Sequence, residues 1–582
     1  MPNRTMTPAL VGLVAGVAFC LAGARPAGAV LPVTGTYVPQ LQAVDTLMQN
    51  FMAGKPIPGG TIAITHNNKV VYERGFGYTD AAGGSKPMQE NALMRLASVS
   101  KPVTASAVQQ LIKDGQLSLN AKVFNLSGNG GVLNVSPYNG TLGDARLRDI
   151  TVGELLAHQG GWNRDVAGDL AFRDVSIANA MGLPSPPGIA ASARYILSQP
   201  LQFTPGTATS YSNIGFMFLG MVVEAVSGQG YESYVDSKVL APAGIPAWEI
   251  NAGRTFAANQ DPREPVYSSP YLAQNVYNPT GPSVSSPYGG WDHEKAMAYG
   301  GLIGSAKAIA TLAQRRIAYG PEIGKLRSDY TTYTNYWWAH EGSLDGTDTL
   351  MLQYQSGASN WTYSVLFDRR PTDGTVYTDS LISPLQSILG GLTAWPAPLS
   401  YAGDLSNDQW LTQDDVTLFR RAETLTSTAF GAAYPGGRYL AGDFNGDAAV
   451  TAADSPGFIA ALQHAGAPAD IIALVTASTI PGDFNRDGEV GPEDFGILKD
   501  HFGLEGLAHG NQESWTLGDA NDDGEIGPED FGLLKDHFGE SGGLVGTYPL
   551  ASLPEPATLF AIFAAALPML LKRRPMTGVS RR

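Results

Sequence analysis

Residues 96–108 read LASVSKPVTASAV, and the fold turns on the serine and the lysine inside this stretch. Ser98 and Lys101 stand three apart, a spacing that puts both side chains on one face of a helix. After them Val103, Ala107, Val108, Leu111 and Ile112 keep a helical period, and Gly115 offers a stop. A serine hydroxyl is a weak nucleophile until a neighbour takes its proton. An amine can do so once burial or nearby positive charge has lowered its pKa. A helix start adds unpaired backbone N–H groups and the positive end of the helix dipole, both suited to developing negative charge. Ser98 to Lys101 is the chain's single S-x-x-K match.

Two stretches further along complete the pattern. YSNIGFMFLG (Tyr211 to Gly220) sets a phenol and an amide two residues apart just before a helix-like run from Ile214 to Gly228. HEGSLDGTDTLM (His340 to Met351) puts His-x-Gly at the head of an expected strand, where backbone N–H groups could reach an oxyanion. In this order and spacing the three stretches resemble the motifs of the serine β-lactamase-like and penicillin-binding family, and look most like class C β-lactamases and related carboxylesterases and D-aminopeptidases. GELLAHQGGW, FTPGTATSYSN and YGGLIGSAKAIATLAQ strengthen the resemblance, which covers residues 37–398.

The resemblance implies roles residue by residue. Ser98 would be the nucleophile, Lys101 its proton partner and Tyr211 the general base that returns a proton to the leaving group. Asn213 would hydrogen-bond the acyl side of the substrate. The backbone N–H groups of Ser98 and Ser343 would form the oxyanion hole beside Gly342. His340 stands where many relatives carry lysine. A mostly uncharged imidazole there favours neutral ester or amide substrates. His158, in a second His-x-Gly that precedes the Tyr-x-Asn, reads as structural.

The expected fold class is α+β: an antiparallel sheet flanked by helices with an all-α insert, followed by small α-helical calcium-loop repeats. TIAITHNNKVVYERGFG reads as two strands about Asn67-Asn68, and Thr347–Gln355 with Trp361–Asp368 as a second pair. Asn251 to Trp291 is Tyr- and Pro-rich without periodicity and reads as a long loop.

The net charge of −16 is unevenly placed: residues 404–540 hold 25 of the 53 acidic but only 6 of the 37 basic side chains. Carboxylates at that density suit cations and exclude nucleic acid as a partner. The acidity belongs to a repeat. GDFNRDGEVGPEDFGILKDHFG begins at Gly482 and returns, little changed, at Gly518. Tight loops with oxygen ligands at alternate positions suit Ca2+. One loop offers Asp483, Asn485, Asp487, the Glu489 backbone and Asp494 around Gly488, and the next offers Asp519, Asn521, Asp523, the Glu525 backbone and Asp530 around Gly524. A weaker copy has Asp443, Asn445, Asp447 and Asp454, with Ala448 at the turn. The weakest, from Asp404 to Asp415, has Gln409 there. The loop-then-helix pairs resemble dockerin repeats, which implies a cohesin-like partner.

Both ends read as export signals. Residues 1–29 carry Arg4, an apolar core from Leu10 to Ala24 and Ala27-Gly28-Ala29, the layout of a secretory signal. Cys20, the sole cysteine, lies inside it, so disulfides and thiolate catalysis are excluded from the mature chain. Near the other end Pro554-Glu555-Pro556, an apolar run from Ala557 to Leu571 and Lys572-Arg573-Arg574 resemble a PEP-CTERM sorting segment (residues 553–575), which implies processing by an exosortase. The expected protein is an exported enzyme, extracellular or on the cell surface, acting on a small acyl ester, amide or β-lactam. A carboxylesterase-like activity leads; the alternatives are a β-lactamase or D-amino-acid peptidase acting on cell-wall peptides, and an inert hydrolase domain that serves calcium-dependent docking.

Overall fold

Asn67 and Asn68 both take positive φ, +49° and +65°, as a two-residue hairpin turn demands when its twist must match that of its strands. The computed structural model describes residues 31–55, 57–80, 86–315, 335–356, 359–372, 375–423, 425–475, 482–484, 490–507, 517–521 and 523–539. Around the Asn67-Asn68 turn, β2 (Gly59–His66) pairs with β3 (Lys69–Gly77). β1 (Val33–Thr34) and α1 (Gln42–Ala53) precede them. There follow β4 (Leu93–Arg95), α2 (Ser100–Lys113), α3 (Asn213–Ser227), β5 (Ile250–Ala252), β6 (Leu272–Ala273), β7 (Val284–Ser285), β8 (Leu302–Ser305) and α4 (Ala306–Arg315). β9 (Asn335–Leu344), β10 (Thr347–Ser356), β11 (Ser359–Phe367) and α5 (Asp379–Gly390) complete this unit. The chain divides into two compact units, Met1–Leu399 and Ser400–Arg582.

The first unit is built on a six-stranded antiparallel sheet of order β1-β3-β2-β11-β10-β9. Alternation along β2 separates its two faces. Ile62 and Ile64 pack with Tyr72, Leu350, Tyr363 and Val365 against Val44, Met48 and Met52 of α1 and Leu381, Leu385 and Leu389 of α5. Val44, Met48 and Met52 follow one another at intervals of four, which places them on one helix face. Burying each such side chain contributes about 1.5–3 kcal/mol. Thr65 points the other way, and its hydroxyl donates to Gln314 of α4 at 2.7 Å. The Thr362 hydroxyl donates to the Ala310 carbonyl, also at 2.7 Å. The strands, α2 and α3 thus form within a residue or two of where the sequence puts them, and Gly115 and Gly228 end the two helices at φ +71° and +70°. Between α2 and α3 lies a helical insert that includes Val152–Leu156, Asp174–Met181 and Gly188–Leu197.

Two expectations change. His340-x-Gly342 lies at the C-terminal end of β9 rather than at a strand's head, because the chain reverses at Asp345-Gly346 and it is β10 that starts at Thr347. The long Asn251–Trp291 segment is more ordered than a bare loop: β5 joins β4 and β8 in a three-stranded sheet, and β6 pairs with β7. Arg95, fully buried, fastens this segment by donating to the Pro287 and Arg254 carbonyls.

The second unit contains α6 (Gln413–Ala422), α7 (Ser455–His464), α8 (Pro492–His501) and α9 (Pro528–His537), each preceded in sequence by an acidic stretch. The last two copies pack reciprocally. Gly503 N–H donates to the Ile526 carbonyl, and Gly539 N–H to Val490, the same contact one repeat later. Phe484, Val490, Leu498, Ile526 and Leu534 form their shared core. At the sixth loop position Gly524 takes φ +82°, and Ala448 (+69°) and Gln409 (+78°) hold the same left-handed turn without glycine.

Asn485, Asp487, Glu489 and Gly488 lie outside the described residues, as do the signal and sorting segments. In the Asp519 loop the carboxylate of Asp519 accepts the N–H groups of Asp523 and Gly524, and Asn521 Oδ1 also accepts from Asp523. Asp523 accepts from Glu525, and Asp530 from Ala520, Asn521 and Gly527. Asp443, Asn445, Asp447 and Asp454 repeat the arrangement. An all-oxygen donor set of this kind fits a hard cation such as Ca2+. Among the described residues no three carboxylate or imidazole groups already converge on one point. In the weakest copy Asp404 is fully buried and meets Arg438 Nη1 at 3.6 Å.

Candidate active site

Ser98 sits in a short 3-10 turn, Ala97–Val99, directly ahead of α2. Ala97 takes φ +46° although it is not glycine, a strained position of the kind that aims a side chain out of a turn. Ser98 is half-buried, whereas Lys101 is fully buried on the first turn of α2. Lys101 Nζ lies 3.1 Å from Ser98 Oγ, 2.7 Å from Asn213 Oδ1 and 2.6 Å from the Tyr299 carbonyl. Tyr211 O–H donates to Ser98 Oγ across 2.5 Å. Ser212, the residue between Tyr211 and Asn213, caps α3 by accepting Gly215 N–H, so the cap fixes both neighbours.

The opposite wall is β9. A methyl group at Gly342 would come within 2.4 Å of the Leu96 carbonyl and 2.9 Å of Ser98 N. Only glycine lets this strand approach the nucleophile's backbone so closely. Thr349, opposite Gly342 on β10, donates to the Leu96 carbonyl at 2.9 Å and pins the strand to the Ser98 turn. Side chains alternate along a strand. His340 therefore shares Gly342's face toward Ser98, while the Ser343 side chain points to the other face and can offer the site only its backbone.

The electrostatics divide the groups. Burial drives the Lys101 amine well below the ordinary lysine range, against the attraction of Asp169. Burial also pushes the Tyr211 phenol up to about 12. His340 is lowered to about 4 and His158 to about 3, each by burial first. Both imidazoles are neutral at pH 7. His158 Nδ1 accepts Ser212 N–H at 3.1 Å, and its ring lies 4.7 Å from that of Tyr211. It holds the phenol in place.

The seven candidate catalytic and substrate-binding residues of this unit thus come together, with His158 beside them. Three others were not anticipated. Asp169 accepts from Asn213 Nδ2 at 2.6 Å and orients the amide toward Lys101. Arg164 stands over the Tyr211 ring, 4.8 Å from its centre. The Tyr299 carbonyl takes a lysine N–H, and of these three only its YGGLIG stretch had carried a sequence signal. A buried amine with two N–H acceptors and a hydroxyl at its third position can take that hydroxyl's proton, and a phenol that stays protonated can give one away.

The chain is similar to several known proteins. Esterase EstB of Burkholderia gladioli is 30% identical over 205 residues, 35% of this chain and 49% of that protein. Protein flp of Staphylococcus aureus (strain MRSA252) is 28% identical over 207 residues, 34% of this chain and 36% of that protein. The chain thus spans half or less of the length of these relatives. The octameric penicillin-binding protein homologue from Pyrococcus abyssi aligns in structure with a TM-score of 0.42 at 22% identity, covering 60% of this chain and 77% of that one. The Beta-lactamase family model matches residues 44–380, more than half of the chain, and the protein belongs to that family.

Proposed function

We propose that this protein is a serine hydrolase that cleaves ester or amide bonds through an acyl-Ser98 intermediate, with carboxylesterase-like substrates in first place. The observation that carries the reading is the position of Ser98 Oγ, held between Lys101 Nζ at 3.1 Å and Tyr211 O–H at 2.5 Å. Two N–H groups of the neutral amine are taken by Asn213 Oδ1 and the Tyr299 carbonyl, which leaves its lone pair toward Ser98. Lys101 then accepts the serine proton as Oγ bonds to the substrate carbonyl carbon. This differs from the duty that the family resemblance gives Tyr211, since a phenol raised to about 12 is a poor base. Negative charge on the carbonyl oxygen meets the backbone N–H groups of Ser98 and Ser343. The bond to the departing group breaks as that group takes the Tyr211 proton, and the proton on Lys101 restores the phenol. Water then attacks the acyl carbon as its proton passes to Tyr211 and the Tyr211 proton to Lys101, the phenol serving as a relay. The bond to Ser98 Oγ breaks as Lys101 returns that proton to Oγ, and the acid is released.

A neutral His340 supports neutral ester or amide substrates, and the relative named an esterase supports the ester reading over β-lactam or D-amino-acid peptide substrates. The test is labelling of the mature protein with a fluorophosphonate and, separately, a fluorescent penicillin, with Ser98→Ala alongside. Fluorophosphonate adduct on Ser98 alone is the expected result, and a stable penicillin adduct would move the peptidase or β-lactamase reading to the front. If neither reagent marks Ser98 in folded protein, the catalytic reading fails. On the same footing, the repeats are proposed to bind Ca2+ and dock a cohesin-like partner, and the two chain ends to direct export and exosortase processing.

A further inference from the structure

Lys101 aims its lone pair at Ser98 only while both of its N–H acceptors stay in place. One of them, the Tyr299 carbonyl, belongs to a single turn, Met297–Gly301. That turn hangs from one atom: the Ala296 carbonyl accepts the N–H groups of Tyr299, Gly300 and Gly301 at 2.9, 2.8 and 2.8 Å. Next to Ala296, Lys295 reaches the helical insert, where its Nζ donates to Asp174 Oδ1 with both side chains buried. Among the described residues the other Asp174 oxygen has no hydrogen-bond partner, so Lys295 is the group that holds this carboxylate. Lys295 N–H donates to Asp292 Oδ1 at 3.0 Å, which fixes where the side chain starts. Three residues before Asp174, the Ala171 carbonyl accepts the Tyr299 hydroxyl at 3.1 Å, and the Phe172 ring meets the Tyr299 ring edge-on, 5.4 Å between centres. The same stretch of the insert begins with Asp169, which holds the Asn213 amide, the other acceptor of Lys101.

A buried ion pair is weak ground for stability, because the desolvation of both charges offsets their attraction. This one stands where it sets the geometry of an amine that neither partner bonds. We propose that Asp174 and Lys295 are positioning residues for Lys101: their ion pair ties Ala296, and through it the Tyr299 carbonyl, to the insert, and so keeps the lone pair of the amine on Ser98. The inference rests on the hydrolase reading above, in which Lys101 takes the serine proton. Neither residue touches the reacting atoms, and both act through the Tyr299 carbonyl.

The test is the double variant Asp174→Val/Lys295→Met, beside wild type and Tyr299→Phe. It replaces the pair by apolar side chains and removes both charges together, so the net charge around Lys101, set by Asp169 and Arg164 as well, is unchanged. Thermal unfolding and the pH profile of kcat/KM are measured on an alkyl ester and a 4-nitrophenyl ester. Tm should stay near that of wild type. The kcat/KM should fall by about 10²-fold, the scale of a small misplacement of a catalytic group, and equally on both esters, since either one needs the serine proton removed. The acid limb should move to lower pH, because an ammonium that has lost an acceptor gives up its proton more readily. Tyr299→Phe, which loses only the hydroxyl bond to Ala171, should shift both readouts the same way by less. A double variant that matches wild type in kcat/KM and acid limb overturns the assignment and leaves the hydrolase standing. A lost activity that accompanies a lowered Tm and an unmoved limb does the same, as a merely structural pair would give. If the double variant does not fold, an unmoved limb in Tyr299→Phe overturns it. If wild type turns over neither ester and fluorophosphonate leaves Ser98 unlabelled, both readings fall.

Discussion

Tyr211 O–H sits nearer to Ser98 Oγ than Lys101 Nζ does, 2.5 Å against 3.1 Å, and the two approach the nucleophile with opposite proton preferences. The phenol is held protonated and the amine is driven toward its neutral form. The division predicts a leaving-group dependence. Lys101→Met should cost about 10²–10⁴-fold in kcat/KM on every substrate. Tyr211→Phe should cost as much on alkyl esters, whose departing alkoxide needs a proton, but far less on 4-nitrophenyl esters. Equal losses on both ester classes would argue against proton donation by Tyr211.

The pH profile follows from the same groups. Activity requires the neutral Lys101 amine, so it falls as pH drops through that amine's lowered pKa. The acid limb of kcat/KM should therefore lie well below the ordinary lysine value of about 10.4. Histidine should contribute no step between pH 5 and 8, since His158 and His340 titrate near 3 and 4. A limb near pH 6.5 that vanishes in His340→Asn would contradict this assignment.

Asp348 predicts a pH effect on stability. It is fully buried on β10, opposite Ser343, and burial raises its carboxyl to about 7. A folded-state pKa above the unfolded value contributes stability below about pH 4 that is lost as pH rises through 7. Asp348→Asn should flatten the decline of Tm between pH 5 and 8, measured by thermal unfolding.

Gly342→Ala should abolish most activity while the protein still folds. The added methyl meets the Leu96 carbonyl and Thr349 Oγ1 at 2.4 Å, so β9 must move off the Ser98 turn. Displaced oxyanion donors cost about 10²–10³-fold in kcat. Circular dichroism beside the kinetics separates this from unfolding.

In the repeats, Asp404 already has a cation. Arg438→Ala should leave that buried carboxylate uncompensated and lower the Tm of the second unit in EDTA. Asp519→Ala should lower the number of calcium ions bound at equilibrium dialysis, a loss that Arg438→Ala should not share.

Local patterning carried much of this protein into its sequence. The Asn67-Asn68 hairpin, the helix behind Ser98, the Tyr211 and His340 stretches and the 36-residue spacing of Gly482 and Gly518 are set by short-range spacing, which one chain displays directly. What tertiary structure decided is which distant groups share a dielectric and a distance. Asp169, 44 residues from Asn213, and Arg164, 47 from Tyr211, belong to the site only because the helical insert folds over α3. Neither sits in a motif, since an exposed arginine or a loop aspartate looks the same wherever it occurs. The division of proton duty between Lys101 and Tyr211 was equally illegible, because burial sets both pKa values and burial is a property of the packed molecule.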